Sequence, residues 1–230
     1  MRRFWKIASV IPLPEGYGIA LDGKVLKTPI GHDYLCPTET LAQAIAGEWN
    51  AVAGKIVPRS MPMTQFAATS LDITAAQRPV IIDQVAAYAE TDMLCYRAVE
   101  PPALVERQHE IWQPYLDWAA VQFGASLKTA TGIGHVPQDT SAVGALRQAI
   151  EALDDFRLTA LQNAASATGS LILGFALTQH WRGVEDIFAA AELDADYQAE
   201  KWGGDDETRA RQEAVKAELS AIARFAGLIE

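Results

Sequence analysis

The pattern of apolar residues changes once along this chain, just before Pro79, and this change limits the folds that the chain can adopt. Before Pro79, short apolar runs alternate with glycine, proline and an Asp22-Gly23 pair. Asp-Gly between two such runs is a strong hairpin signal, because both central residues of the turn need positive φ. After Pro79, apolar residues recur at helical spacing. The pattern predicts an α+β fold, with a small N-terminal β-meander and helix domain at residues 1–77 and a larger all-α helical bundle domain at residues 78–230.

Local signals predict where several helices begin and end. Thr38 is a natural N-cap for a helix that runs to about Ala53. The stretch Leu171–Gln179 is almost wholly apolar, which predicts the buried central helix of the bundle. The segments Val184–Trp202 and Asp206–Ala226 are predicted to be two antiparallel helices, joined by a tight turn at Gly203-Gly204.

Charge is spread unevenly along the chain. The formal net charge is −10, which argues against a nucleic-acid partner, because phosphate binding needs clustered Lys and Arg. Residues 1–77 carry a net charge of +1 and residues 78–230 carry −11. Between Glu185 and Glu218 there are eleven acids and four bases. Two interpretations stay open: a solvated helical face that keeps the chain soluble, or an acidic surface that steers a complementary partner.

Cysteine usage and apolar run lengths bear on location. Cys36 and Cys95 each lie in an apolar run, far apart in sequence, which predicts buried free thiols in a reducing compartment. The longest apolar run, Leu171–Leu177, is far shorter than the roughly 20 residues that span a bilayer. Phe4-Trp5-Lys6 already has the character of folded sequence, so no signal or transit peptide is predicted before it. A cytoplasmic protein, or the mature form of an imported one, is expected.

Residues typical of catalysis are sparse. The four histidines are far apart in sequence, and no CxxC or HxxxH spacing occurs, so the sequence predicts no metal site. There is no phosphate-binding loop and no GxSxG elbow, and we expect no cofactor and no catalytic residue. The pair Asp154-Asp155 could be an acid and base, but carboxylates at a helix start more often cap free N–H groups.

One dense polar cluster lies in the segment Thr91–Arg97. Asp92 and Arg97 bracket an apolar turn, and we expect a shielded, bidentate ion pair between them that fixes the helix exit. The alternative is that Arg97 activates the thiol of Cys95. Trp49 lies on a helical stripe, for which core packing is expected. Trp202 follows a charged helix and precedes a Gly-Gly turn, which predicts a half-covered, anchor-like aromatic side chain.

Several short strings together resemble one known family. They are Phe4-Trp5-Lys6, the hairpin from Asp22-Gly23-Lys24 to Thr28-Pro29, Ile45-Ala46-Gly47-Glu48-Trp49, Met61-Pro62-Met63-Thr64, Thr91-Asp92-Met93-Leu94-Cys95-Tyr96-Arg97, Trp112-Gln113-Pro114, and Gln198 followed by Trp202-Gly203. In this order they resemble the assembly chaperones for the catalytic sector of the mitochondrial-type ATP synthase, in particular the member that receives the α subunit. The resemblance covers nearly the full chain, and the string from Thr91 to Arg97 is its most specific part.

The resemblance implies a function and a set of site residues. It implies a chaperone that uses no nucleotide, binds the free α subunit, prevents its aggregation and hands it to the β subunit. A bacterial member is expected in the cytoplasm, and organelle relatives in the mitochondrial matrix. No small-molecule substrate, nucleic acid or membrane insertion is expected. The family's acidic C-terminal surface maps onto four partner-binding residues, namely Asp196, Gln198, Glu200 and Trp202, where Asp196 replaces the family's usual glutamate. Asp92, Arg97 and Trp49 are expected to be structural.

Two other functions stay open from the residues alone. One is a small-molecule enzyme with its site in a cleft between the domains, near Arg97 and His109. The other is a scaffold or inhibitor that binds a different protein through the acidic helical face. A deep pocket with converging titratable residues would favour the enzyme, and a shallow acidic surface with aromatic side chains would favour a chaperone or scaffold.

Overall fold

The computed structural model describes residues 2–132 and 134–230, and the chain divides into two compact units. Unit 1 comprises the chain up to Arg78 together with residues 154–160 and 224–230. Unit 2 comprises residues 79–153 and 161–223. The predicted domain boundary, between residues 77 and 78, instead places residues 154–160 and 224–230 in the second domain. That residues 1–77 and 78–230 fold as separate domains stays a prediction.

Unit 1 contains the predicted β-meander. Strands β1 (Ala8–Leu13), β2 (Gly16–Leu21) and β3 (Lys24–Val25) form an antiparallel sheet in the order β1-β2-β3, with Ala8 opposite Leu21. Asp22 and Gly23 join β2 to β3 with φ of 50° and 83°, the left-handed values that this turn requires. The small N-terminal sheet and the largely helical remainder confirm the predicted α+β class.

Helix α1 (Glu39–Ala51) covers this sheet. Its N-cap is Thr38, as predicted, and the Thr38 side chain accepts a hydrogen bond from the backbone N–H of Leu41. Near its end, the Asn50 side chain donates to the carbonyl oxygen of Ala8 and accepts from its N–H, both at 2.8 Å. These two bonds satisfy backbone groups on the outer edge of β1 that would otherwise be free to pair with another strand.

The start of helix α2 (Pro62–Thr69) is held by a side chain from α1. No side chain of α2 itself caps this end. Instead, the Glu48 carboxylate accepts hydrogen bonds from the backbone N–H groups of Met63 and Thr64, each at 2.8 Å, and from the Thr64 hydroxyl at 2.6 Å. A negative carboxylate at a helix N-terminus satisfies free donors and complements the helix dipole. Glu48 therefore ties α1 to α2 within unit 1.

A π-helical turn, Ser70–Thr74, follows α2. The Thr159 hydroxyl lies 2.9 Å from the Ser70 hydroxyl and 2.7 Å from that of Thr74. All three side chains are buried, and their mutual bonds satisfy polar groups that would otherwise be costly to bury. Thr159 belongs to the segment 154–160, so these bonds fasten that segment to the rest of unit 1.

Helices dominate the rest of the chain. They are α3 (Ala75–Ala87), α4 (Pro102–Phe123), α5 (Thr140–Glu151), α6 (Asp155–Thr168), α7 (Leu171–Thr178), α8 (Val184–Ala191), α9 (Leu193–Trp202) and α10 (Asp206–Leu228). Strands β4 (Tyr96–Arg97) and β5 (Ala130–Thr131) pair in parallel. Among the helices of the described residues, none has both the length and the apolarity that crossing a membrane would take.

The predicted central helix, α7, is buried from Leu171 to Leu177, which confirms its place in the core of unit 2. Gly174 permits close packing on α6, because a Cβ built there would lie only 3.1 Å from the backbone nitrogen of Ala165 and would push the two helices slightly apart. A helix buried on all faces has no water to satisfy its first N–H groups, so its N-terminus needs acceptors from the protein.

Asp92 supplies an acceptor to the start of α7. Its side chain is fully buried, and one carboxylate oxygen accepts from the Ser170 hydroxyl at 3.0 Å and from the Ile172 N–H at 3.1 Å. The other oxygen accepts from the Leu94 N–H at 3.1 Å. Burial nevertheless raises the pKa of Asp92 from its usual 3.8 to about 6, and the three hydrogen bonds only partly oppose this shift.

The predicted single helix over residues 184–202 is wrong, because the chain breaks at Glu192 into α8 and α9. Glu192 has φ of −98° and ψ of 7°, and its carboxylate is buried against the guanidinium of Arg211 on α10. The apolar period continues through the break, so the spacing of residues alone could not show it.

We predict that Glu48→Gln lowers the free energy of unfolding by about 1–2 kcal/mol, because the amide keeps one acceptor oxygen and places an NH₂ group against an N–H donor. Urea unfolding followed by circular dichroism measures the loss. Glu15→Gln is the matched control, because Glu15 is exposed in the β1–β2 turn, and its effect should stay within about 0.5 kcal/mol. Equal stabilities of the two variants would contradict the capping role.

We further predict that the stability contributed by Asp92 falls as pH rises. Between pH 3.8 and about 6 the unfolded chain releases the Asp92 proton while the folded chain keeps it, so deprotonation favours unfolding. The difference in unfolding free energy between wild type and Asp92→Asn, which cannot titrate, should therefore shrink from pH 4 to pH 7, by up to about 3 kcal/mol. A difference that stays constant over this range would contradict the raised pKa.

Candidate functional site

The acidic segment forms a three-helix surface in unit 2, made by α8, α9 and α10. Three contacts align α10 antiparallel to the other two helices: Gln212 donates to Asp196 at 2.7 Å, Arg211 pairs with Glu192, and Lys216 pairs with Glu185 at 2.7 Å. The partners of Arg211 and Gln212 lie at the start of α9, whereas the partner of Lys216 lies earlier in the chain, on α8. This order agrees with the predicted antiparallel packing of the segment, although two helices replace one of the predicted pair.

Glu200, on α9, forms a bidentate ion pair with Arg107 of α4, with nitrogen-to-oxygen distances of 2.8 and 3.0 Å. The hydrogen bonds from Arg107 lower the pKa of Glu200, so the carboxylate stays charged. The Arg107 guanidinium also lies 5.3 Å from the ring centroid of Tyr197. The negative charge of Glu200 is therefore largely offset by a cation of the same chain.

Gln198 and Trp202 lie on a different side of α9. Both are exposed and line an open groove of about 660 Å³, together with Pro101, Leu104 and Tyr197. Trp202 has 76% of its surface exposed, so the prediction of a half-covered side chain is wrong: the indole is almost free of its own chain. An exposed tryptophan at the edge of a groove is typical of a protein-binding anchor.

The four predicted partner-binding residues thus fall into two pairs, each pair one helical turn apart. Asp196 and Glu200 are held by Gln212 and Arg107, whereas Gln198 and Trp202 border the groove. Arg107, Leu104 and Tyr197 also belong to this surface, although the sequence did not predict them as site residues. Arg107 is separated from Glu200 by 93 residues, and no local signal links the two.

Arg97 does not pair with Asp92, so the predicted ion pair is wrong. The Arg97 Nη1 donates to the carbonyl oxygen of Gln108 at 2.6 Å, and its guanidinium lies 5.2 Å from the ring centroid of Trp112. Its Nε and Nη2 are buried without a hydrogen-bond partner, and burial lowers the pKa of Arg97. Asp92 instead faces the helix start that needs acceptors, which is why it turns away from Arg97.

The thiol of Cys95 is not activated. Burial raises its pKa to about 12, and the nearby Arg97 opposes this shift only in part. A thiol with so high a pKa is almost wholly protonated at neutral pH, whereas a nucleophilic cysteine needs the thiolate. The alternative of an Arg97-activated nucleophile is therefore wrong. Cys36 and Cys95 are buried free thiols, as predicted.

Trp49 is half-buried and packs on Trp5, with ring centroids 4.9 Å apart, which fits the packing role expected of it. Its indole Nε1 is buried without a hydrogen-bond partner. Other open grooves also carry titratable side chains. One of about 400 Å³ is lined in part by Glu90 and His135, one of about 370 Å³ by Arg182 and Asp186, and one of about 290 Å³ by Glu15 and Asp33.

Arg97 and His109, near which an enzyme site was considered, do not form a shared catalytic site in the structure. His109 is exposed on α4, while two nitrogens of Arg97 are inaccessible, so these side chains have different environments. Within residues 2–132 and 134–230, no three or more His, Cys, Asp or Glu side chains come together in a way that could hold a metal ion.

Comparison with known proteins identifies relatives along the whole chain. The Atp12 protein of Paracoccus denitrificans has a crystal structure that matches with a TM-score of 0.96 and 38% identity, over 100% of this chain and 98% of that one. The mitochondrial protein atp12 of Schizosaccharomyces pombe is 26% identical over 100% of this chain and 83% of its own length. The mitochondrial protein ATP12 of Saccharomyces cerevisiae is 23% identical over 97% of this chain and 84% of its own length.

A family model described as ATP12 chaperone protein matches residues 2–120, more than half of the chain. The matched range contains Glu48, Asp92 and Arg97, whereas α8, α9 and α10 lie beyond it. The family predicted from the residues is confirmed: this chain belongs to the ATP12 chaperone protein family.

Proposed function

We propose that this chain is an ATP-independent assembly chaperone for the catalytic sector of the ATP synthase, acting in the bacterial cytoplasm. It binds the free α subunit, prevents its aggregation and hands it to the β subunit. The observation that carries the proposal is membership of a chaperone family, with the same fold over the full length of a solved relative. The family resemblance of the residues supports the finer assignment to the α subunit.

The physical task suits the surface of unit 2. A single subunit of a ring exposes apolar interface, which promotes aggregation until the neighbouring subunit covers it. A chaperone must cover that interface with an affinity that the true neighbour can exceed. Exposed acids raise the association rate, and an aromatic anchor sets the residence time. Trp202 and the acids around it supply both kinds of group.

The proposed binding face keeps the four predicted residues but gives them different roles. Gln198 and Trp202 contact the partner directly, because both are exposed at the groove. Asp196 and Glu200 already have partners within the chain, so they contribute mainly by holding α9 in position, and Glu200 attracts the partner only through the part of its charge that Arg107 does not offset. We also propose that the chain performs no catalysis, which the chaperone description of its family supports.

Co-purification tests the function as a whole. Tagged chain and untagged α subunit are expressed together, with and without the β subunit. The α subunit should co-elute when β is absent and should be lost from the complex when β is added. Failure to retain α in the absence of β would contradict the proposed function.

We predict that Trp202→Ala weakens binding of the α subunit about tenfold, because it removes an exposed aromatic anchor while leaving the core intact. Light scattering of aggregating α subunit, titrated with each variant, gives the measurement. The control is Val121→Ala, which removes an 88% exposed apolar side chain about 25 Å along α4 from the groove. Equal protection by both variants would argue against Trp202 as an anchor.

A second pair of variants separates the charge of Glu200 from its ion pair. If the charge of Glu200 attracts the partner, Glu200→Lys weakens binding of the α subunit. Arg107→Met frees the Glu200 carboxylate and keeps an unbranched apolar side chain near Tyr197, so this variant preserves or strengthens binding of the α subunit. We expect this result, measured in the same titration. If both variants weaken binding equally, the ion pair supports binding only by holding α9 in position, and the charge of Glu200 does not attract the partner.

A further inference from the structure

We infer that the groove between the first turn of α4 and helix α9 holds an extended segment of the client protein, with a large apolar side chain flanked by Lys or Arg. The inference rests on the proposed function for the identity of the client. The chemistry of the segment follows from the groove itself. The groove is built entirely from residues of unit 2.

The groove has a buried floor and an exposed rim. Leu104 and Tyr197 form the floor, with 6% and 4% of their surfaces exposed. Pro101 and Trp202 are exposed at its borders. A volume of about 660 Å³ lies within the range of roughly 300–1,000 Å³ found for ligand sites, and it suits one or two large apolar side chains.

The floor of the groove is held in place before any partner binds. Two cations lie over the Tyr197 ring, the Arg107 guanidinium at 5.3 Å and the Lys201 ammonium at 5.4 Å from its centroid. Glu200 in turn fixes Arg107 through two hydrogen bonds. A preformed site loses less conformational entropy on binding than one that must first assemble. The contacts that hold Tyr197 in place therefore favour binding of a partner in the groove.

Charge at the rim selects a cationic segment. Glu100 borders the groove on the α4 side. Beyond Trp202 the chain runs through Gly203-Gly204 into the acidic turn Asp205–Glu207, which does not line the groove. Lys201 is the cation among the lining residues, and its ammonium lies over Tyr197. The groove thus offers an apolar centre with a carboxylate at one border and an acidic turn a few residues beyond Trp202, which complements an apolar side chain with basic neighbours.

The same charges disfavour other occupants. An acidic peptide or the anionic surface of a membrane would be repelled by Glu100 at the border of the groove and by the acidic turn Asp205–Glu207 that follows Trp202 in the chain. A second copy of this chain carries the same net charge of −10, so approach of two copies is opposed at low salt. The client segment is therefore the occupant that the charges favour.

Binding of designed peptides tests the chemistry without the client. Three fluorescein-labelled octapeptides serve as probes: one alternates Leu and Lys, one alternates Leu and Glu, and one alternates Ser and Lys. In fluorescence anisotropy at low salt, the Leu-Lys peptide should bind at least tenfold more tightly than either of the others. Equal binding of the Leu-Glu peptide would overturn the charge preference, and equal binding of the Ser-Lys peptide would overturn the apolar anchor.

Variants locate the peptide on the protein. Trp202→Ala should weaken binding of the Leu-Lys peptide about tenfold, and Glu100→Lys at least threefold. The controls are Val121→Ala and Glu218→Lys, the latter an exposed site about 20 Å along α10 from Asp205, and both should bind as wild type does. Wild-type affinity in Trp202→Ala would overturn the assignment of the groove.

Competition separates this inference from the proposed function. Excess Leu-Lys peptide should displace the α subunit from the wild-type chain. If α is held and the peptide cannot displace it, the inference is overturned while the proposed function stands. If the peptide binds at the groove but α is never held, the proposed function fails and the groove keeps its specificity. A concentration-dependent dimer that Trp202→Ala abolishes, seen by sedimentation, would instead assign the groove to a second copy.

Discussion

The buried carboxylate of Asp92 is the interaction on which the arrangement of unit 2 depends. Helix α7 is surrounded by protein from Leu171 to Leu177, so water cannot satisfy its first N–H groups. Asp92 and Ser170 provide the acceptors, and the same carboxylate holds the turn at Leu94. The free-energy cost of burying this charge is visible in its raised pKa, and three hydrogen bonds offset part of that cost.

Unit 1 uses the same device, because Glu48 on α1 caps α2 from outside the helix. Both carboxylates belong to the strings by which the chain resembles its family, and both lie in the range that the family model matches. A recognisable string can therefore report a structural requirement of the fold. The proposed partner-binding residues on α9 lie beyond that range, in an acidic segment that exposes Trp202.

The acidic face has fewer free charges than its composition indicates. Arg107 pairs with Glu200, Arg211 with Glu192, and Lys216 with Glu185. These three acids therefore form ion pairs between helices of the same chain. What remains for a partner is an apolar groove, an exposed indole and the Glu100 carboxylate at the border of the groove. Such a surface combines an anchor of limited area with steering by charge, which suits an association that must later be reversed.

Local chemistry in the sequence determined the elements of the fold. The Asp22-Gly23 turn, the Thr38 cap and the apolar stretch of α7 each act through neighbours within a few residues, so their signals are readable without the tertiary structure. Only the tertiary structure decided the partner of Asp92, which lies 78 residues away at Ser170, and the pairing of Glu200 with Arg107. It also decided the break at Glu192, the exposure of Trp202 and the return of residues 154–160 and 224–230 to unit 1. These features depend on distances between groups far apart in the chain, and the spacing of residues along a sequence carries no record of such distances.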